Sequence, residues 1–168
     1  MSDYILALVF SVTITLSSPL SAAENCSDVH YSDFDFLVGE WLVHSRDGKF
    51  QGQNSITREE GGCLLVERWQ GSQGGTGQSY NYFSPNSQKW YQLWVSKGAI
   101  INYSGGLNLA GAMHLEGNIV YQATALEAKF MGTWTPQRDG SVLQELKQFD
   151  ETKHAWVEWF TGIYTLQP

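Results

Sequence analysis

From about residue 39 onward, apolar and aromatic residues alternate with polar ones in short runs. A sustained 3.6-residue apolar repeat is absent from the chain after its first 23 residues. Period two is the signature of strands with one face turned to a core. The runs are punctuated by Asp47-Gly48, Gly61-Gly62, the stretch 71–77, Pro85-Asn86, Lys97-Gly98, Gly105-Gly106, Gly117-Asn118, Asp139-Gly140 and the polar stretch 150–154. Such clusters join antiparallel strands as hairpins. The pattern predicts strands at roughly 39–46, 50–60, 63–70, 77–83, 89–96, 99–104, 111–116, 119–134 (with room for a break), 141–149 and 155–166. Residues 28–37, around Phe34, Phe36 and Leu37, predict one short helical turn before the first strand. About ten consecutive strands must close into a barrel or pack as two sheets, because open edges invite aggregation. The expected fold is all-β: one antiparallel, closed or nearly closed barrel of about 8–10 strands.

Several strands carry large apolar residues on both faces. In 89–96, Trp90, Gln92 and Trp94 share one face, while Tyr91, Leu93 and Val95 share the other. In the last strand, Trp156, Phe160 and Tyr164 alternate with Val157, Trp159 and Ile163. A barrel interior accounts for one face only. The second calls for a cover: a helical segment, a loop or a second subunit, which makes a homodimer one expectation.

The N-terminus is of another kind. Residues 4–16 form an uncharged apolar run of 13, too short for a membrane-spanning helix of about 20 residues. Ser21-Ala22-Ala23 follows. The segment reads as a signal peptide over 1–23, although Asp3 stands where basic residues usually precede the apolar run. The domain is then 24–168. It is expected outside the cytoplasm, periplasmic or extracellular, with no stable membrane insertion after cleavage. Cys26 and Cys63, an even pair in an exported chain, predict a disulfide tying the N-terminal segment to the third strand.

The chain has 17 acidic and 10 basic residues, a formal net charge of −7. With no Lys/Arg cluster to offset it, this acidity argues against nucleic acid and anionic lipid surfaces as partners. The glycines of 71–77 lead into the strand-like Ser79–Phe83, so they do not form a phosphate cradle, which needs a helix N-terminus. They read instead as a hairpin loop able to cover a barrel mouth. His30, His44, His114 and His154 show no metal-ligand spacing, so no metal is expected. His114, on a central strand, is the one to check for haem. No serine or cysteine sits in a catalytic signature.

The informative pattern is polar residues beside tryptophan: Glu67 with Trp69, Gln92 with Trp90 and Trp94, and Glu158 next to Trp159. If the face of Glu67 and Gln92 is the interior, a carboxylate and an amide line an aromatic cavity, the make-up of a small-molecule site. The alternative is that they face water. The candidate binding residues are Glu67, Trp69, Tyr82, Trp90, Gln92, Trp94, Trp134 and Trp159. A desolvated Glu67 would have a raised pKa and could act as a general acid or base.

The segment Phe34-Asp35-Phe36-Leu37-Val38-Gly39-Glu40-Trp41-Leu42-Val43 resembles the FDFxxGxWxV opening of a bacterial secreted, calycin- or lipocalin-like family of unknown function. Gly62-Cys63-Leu64, Glu67-x-Trp69, Trp90-x-Gln92-x-Trp94, Met113-x-Leu115-x-Gly117, Gln144 and Phe160-x-Gly162-x-Tyr164 extend the resemblance over most of the chain. It implies an antiparallel barrel in which Gly39 and Trp41 are structural, Trp41 packing across the closed end. It brings no known activity. Where members of that family often carry Arg, this chain has Leu143 and Thr165. The opening is also superficially similar to that of haem-binding nitrobindin-type barrels, but no proximal histidine matches. No cofactor is expected, with haem left open.

Three functions fit these residues. The first is an exported barrel binding a small apolar or aromatic ligand. The second is a hydratase- or isomerase-like enzyme using Glu67. The third is a structural or interaction protein with a filled barrel.

Overall fold

A computed structural model describes residues 26–168, so the expected signal segment and its cleavage site lie outside the described residues. Two short 3-10 turns, Val29–Ser32 and Asp35–Leu37, precede the strands. The strands are β1 (Gly39–His44), β2 (Phe50–Glu59), β3 (Leu64–Gly71), β4 (Thr76–Ser84), β5 (Lys89–Ser96), β6 (Ala99–Leu107), β7 (Met113–Tyr121), β8 (Glu127–Pro136), β9 (Val142–Asp150) and β10 (Ala155–Leu166). Each pairs with its sequence neighbours, and β10 returns to pair with β1. The result is a closed antiparallel barrel without a free edge, one of the two arrangements the strand count allowed.

Alternation along each strand sets inside from outside. In β4, Gly77, Ser79, Asn81 and Phe83 turn inward, and Gln78, Tyr80 and Tyr82 turn outward. The meander also gives the barrel two different ends. At one end the N-terminal turns insert Phe34, which meets Trp90 and Trp134 edge-on at 5.7 and 5.3 Å. Trp41 Nε1 donates to Leu37 O at 2.9 Å, locking the same segment. Apolar side chains thus fill this closed end. The other end carries the β1–β2, β3–β4, β5–β6, β7–β8 and β9–β10 hairpins, and is the mouth.

Cys26 and Cys63 form the expected disulfide, with a Cα–Cα distance of 5.1 Å. Cys63 lies immediately before β3, so the bridge straps the plug-bearing N-terminal segment onto the barrel. No helix among the described residues is long and apolar enough to cross a membrane.

Two expected turns are strand interiors. Gly105-Gly106 lies within β6 and Gly117-Asn118 within β7. A Cβ at Gly105 would overlap the His114 backbone, and one at Gly117 the backbone of Asn102 and Tyr103. These glycines permit close approach of paired strands; they do not reverse the chain. The reversals fall at 108–112 and 122–126. In the first, Asn108 Oδ1 accepts from Ala110 N and Ala112 N. In the second, Ala125 takes φ 55°. That loop has no Gly, Pro, Asn or Asp, so its sequence carried no turn signal.

The expected cover for the second apolar face is not supplied by the described residues. Tyr80, Tyr82, Leu93 and Val95 stay 38–44% exposed on the outside of β4 and β5, with Tyr82 stacked on Tyr91 at 5.4 Å.

Candidate functional site

Direct cross-strand partners carry a belt of polar side chains around the inside of the barrel. Glu67 on β3 faces Ser79 on β4. Asn81 faces Gln92 on β5, and Gln92 faces Tyr103 on β6. Since facing side chains on adjacent strands are near neighbours, this register links them by hydrogen bonds. Ser79 Oγ donates to Glu67 Oε2 at 2.5 Å, and Asn81 Nδ2 donates to Ser79 Oγ at 2.8 Å. Gln92 Nε2 donates to Asn81 Oδ1, and Tyr103 Oη donates to Gln92 Oε1.

A second arm runs the other way. Asn54 Nδ2 on β2 donates to Glu67 Oε1 at 2.6 Å and to Tyr164 Oη at 3.2 Å. Tyr164 Oη, on β10, donates to Gln144 Oε1 on β9 at 2.8 Å. The Asn54 Oδ1 is buried and has no partner. Glu67 is the meeting point of both arms. It is 6% exposed and faces no cation. Burial pushes its carboxyl above the usual carboxylate range, and the bonds from Ser79 and Asn54 pull it part of the way back. Burial, then the nearby Glu67 charge, hold the Tyr103 and Tyr164 hydroxyls well above their ordinary value.

Above this belt, toward the mouth, lies a cavity of about 180 Å³. Trp69, Trp94, Trp159 and Phe160 supply its aromatic walls, and Glu67, Gln92 and Gln144 contribute to its polar floor. Trp69 meets Phe160 edge-on at 6.2 Å, and Trp159 meets Phe130 edge-on at 5.4 Å. A break in the β9–β10 register between Glu158 and Phe160 explains how two consecutive aromatics reach the same cavity. A bulge inserts an extra residue and re-aims the side chains beside it. A larger space of about 940 Å³ lies outside the barrel along β2–β5, lined mostly by polar side chains such as Gln53, Arg68, Gln78 and Lys97. It does not enclose a ligand in aromatic walls.

Of the residues singled out from sequence, Glu67, Trp69, Gln92, Trp94 and Trp159 line the cavity. Three others lie elsewhere. Trp90 is buried in the closed end, its Nε1 donating to His30 O at 3.0 Å. Trp134 packs there against Phe34. Tyr82 points outside, because its parity in β4 is opposite to that of Ser79 and Asn81. Gly39 and Trp41 belong to the closed-end wall, Trp41 at 2% exposure.

No histidine lines the cavity. His114 binds Thr133 at 2.8 Å and Glu116 at 3.0 Å. Among the described residues no cluster of His, Cys, Asp and Glu could hold a metal ion. The cavity is only modestly larger than the roughly 150 Å³ void that accommodates benzene, so it does not enclose a porphyrin.

Asn54, Ser79, Tyr103, Phe160 and Tyr164 were missed as site residues. Phe160 and Tyr164 share a parity in the sequence of β10, which was the one signal available. The others are ordinary strand residues until their partners are known. No protein-family model matches the chain, and no curated protein matches it either.

Proposed function

We propose that this chain is an exported small-molecule-binding barrel whose ligand enters at the mouth and rests on the Glu67–Gln92–Gln144 floor. The observation that carries the reading is one cavity with three tryptophan walls directly above a buried, uncompensated carboxylate. A buried carboxylate without a cation and a buried amide oxygen without a donor both cost stability. Such costs are concentrated at sites that bind or react. Mostly apolar walls with a few convergent polar groups are the usual composition of a ligand site. The size suits a ligand of about one aromatic ring.

Trp69, Trp94 and Trp159 make the test direct. Intrinsic fluorescence titrated with single-ring aromatic compounds will change saturably, and Trp159→Ala will weaken the response. An unchanged emission spectrum across neutral, cationic and anionic single-ring compounds would leave the barrel without this function.

A second reading uses the same site. Glu67, buried beside an open cavity with a raised pKa, has the properties of a general acid or base in a hydratase- or isomerase-like reaction. In that case Glu67→Gln removes turnover and spares binding.

A further inference from the structure

Within the binding reading above, on which this inference rests, we propose that the ligand is a small organic cation: a single-ring or similarly sized ammonium compound whose charged head meets Glu67. None of the ten Lys and Arg residues lines the cavity. Several are engaged elsewhere: Arg46 with Glu145, Arg58 with Asp35, Arg68 with Glu59, Lys49 with Asp47 and Lys153 with Asp150. Among the described residues Glu67 is the only carboxylate on the lining, and no Lys, Arg or His there offsets it.

Hydrogen-bond capacity points the same way. A carboxylate offers about four acceptor sites, and Asn54 and Ser79 take one on each oxygen. The Tyr103 and Tyr164 hydroxyl protons are already given to Gln92 and Gln144. The carboxylate keeps acceptor capacity, while the neighbouring phenols have no proton to spare for it. An ammonium head supplies donors and the missing positive charge together.

The walls add a third argument. Trp69, Trp94 and Trp159 surround the space above Glu67, and tryptophan is the strongest aromatic partner for a cation. Gln144 Nε2 has no partner among the described residues, so it can hold an acceptor atom on the same ligand. A carboxylate ligand, such as a fatty acid, would place like charges together in a water-poor space. A neutral ring would leave the Glu67 carboxylate without a counter-charge.

The test compares three compounds of nearly equal size, benzylammonium, benzyl alcohol and benzoate, by calorimetry and tryptophan fluorescence on the purified protein at neutral pH and low salt. Benzylammonium is expected to bind at least about tenfold more tightly than benzyl alcohol, a difference of about 1.4 kcal/mol, with benzoate weakest. In Glu67→Gln the preference of benzylammonium over benzyl alcohol should shrink to about threefold or less. The wild-type ranking decides the matter even if the variant does not fold. Alcohol or benzoate binding as tightly as the amine would overturn the cation assignment and leave the cavity reading intact. Failure of all three to bind would overturn both.

Discussion

Glu67 and Ser79 are direct cross-strand partners inside the barrel, and the serine hydroxyl donates to the carboxylate at 2.5 Å. That contact, with the one from Asn54, is what makes a buried charge tolerable in a cavity otherwise walled by aromatic rings. Its strength is limited, because desolvation still dominates and the carboxyl remains raised.

A pH dependence of stability follows from the raised carboxyl. The folded state holds the Glu67 proton more tightly than the unfolded chain, whose glutamates titrate near pH 4.3. This stabilising contribution is fully present below about pH 4.3 and falls away as pH rises through the folded-state value. Urea unfolding of wild type and Glu67→Gln from acid to neutral pH will show the wild type losing stability relative to the variant. Parallel curves would contradict the burial of Glu67. Asp47 and Asp150 have the opposite sign. Hydrogen bonds hold both at about 2, so their small contributions are lost only as pH falls toward that value.

Reducing the disulfide should destabilise the barrel substantially. The bridge spans 37 residues of sequence, which in the chain-entropy account corresponds to about 4 kcal/mol. Cys26→Ser with Cys63→Ser should lower the urea midpoint accordingly. An unchanged midpoint would show that the N-terminal strap contributes nothing.

Gly77 lies opposite Trp69 and beside Trp94. A Cβ there would overlap the Trp94 ring, so Gly77→Ala forces a cavity wall to move. Overpacking of this kind costs about 1–3 kcal/mol. Gly106, with nothing within 4 Å of its missing Cβ, is the control: Gly106→Ala should change stability by no more than about 0.5 kcal/mol. Thermal unfolding and the tryptophan emission maximum report both effects.

The two ends of the barrel should separate stability from binding. Phe34→Ala empties the closed end, where Phe34 is 1% exposed, and should cost about 3–5 kcal/mol. Trp159→Ala, at a position 44% exposed, should cost far less stability and weaken the fluorescence response to ligand. Equal stability losses in the two variants would mean that the mouth is part of the core.

Strand alternation, the hairpin rhythm and the cysteine pair were legible in the chain because each is a local property. Period two puts Glu67 with Trp69, and Gln92 with Trp94, on shared faces whatever the fold. Gly105 and Gly117 misled because a glycine needed for close strand contact looks the same in sequence as one needed for a turn. The stretch 119–134 left room for a break, but the turn at 122–126 could not be placed within it, because the flanking pairing holds Ala125 in a conformation its side chain does not favour.

What the sequence determined alone was which side chains share a face. It could not set their height along the barrel or their partners around it. Trp90 and Trp94 have the same parity, yet four residues of strand separate them by roughly 13 Å, enough to put one in the plug and the other on the cavity wall. Closure of β1 against β10 brings Tyr164 to Asn54, and the bulge in β10 turns Trp159 and Phe160 to one space. Both are decided only when distant strands meet, because an inward face becomes a cavity only where the surrounding side chains fail to fill it.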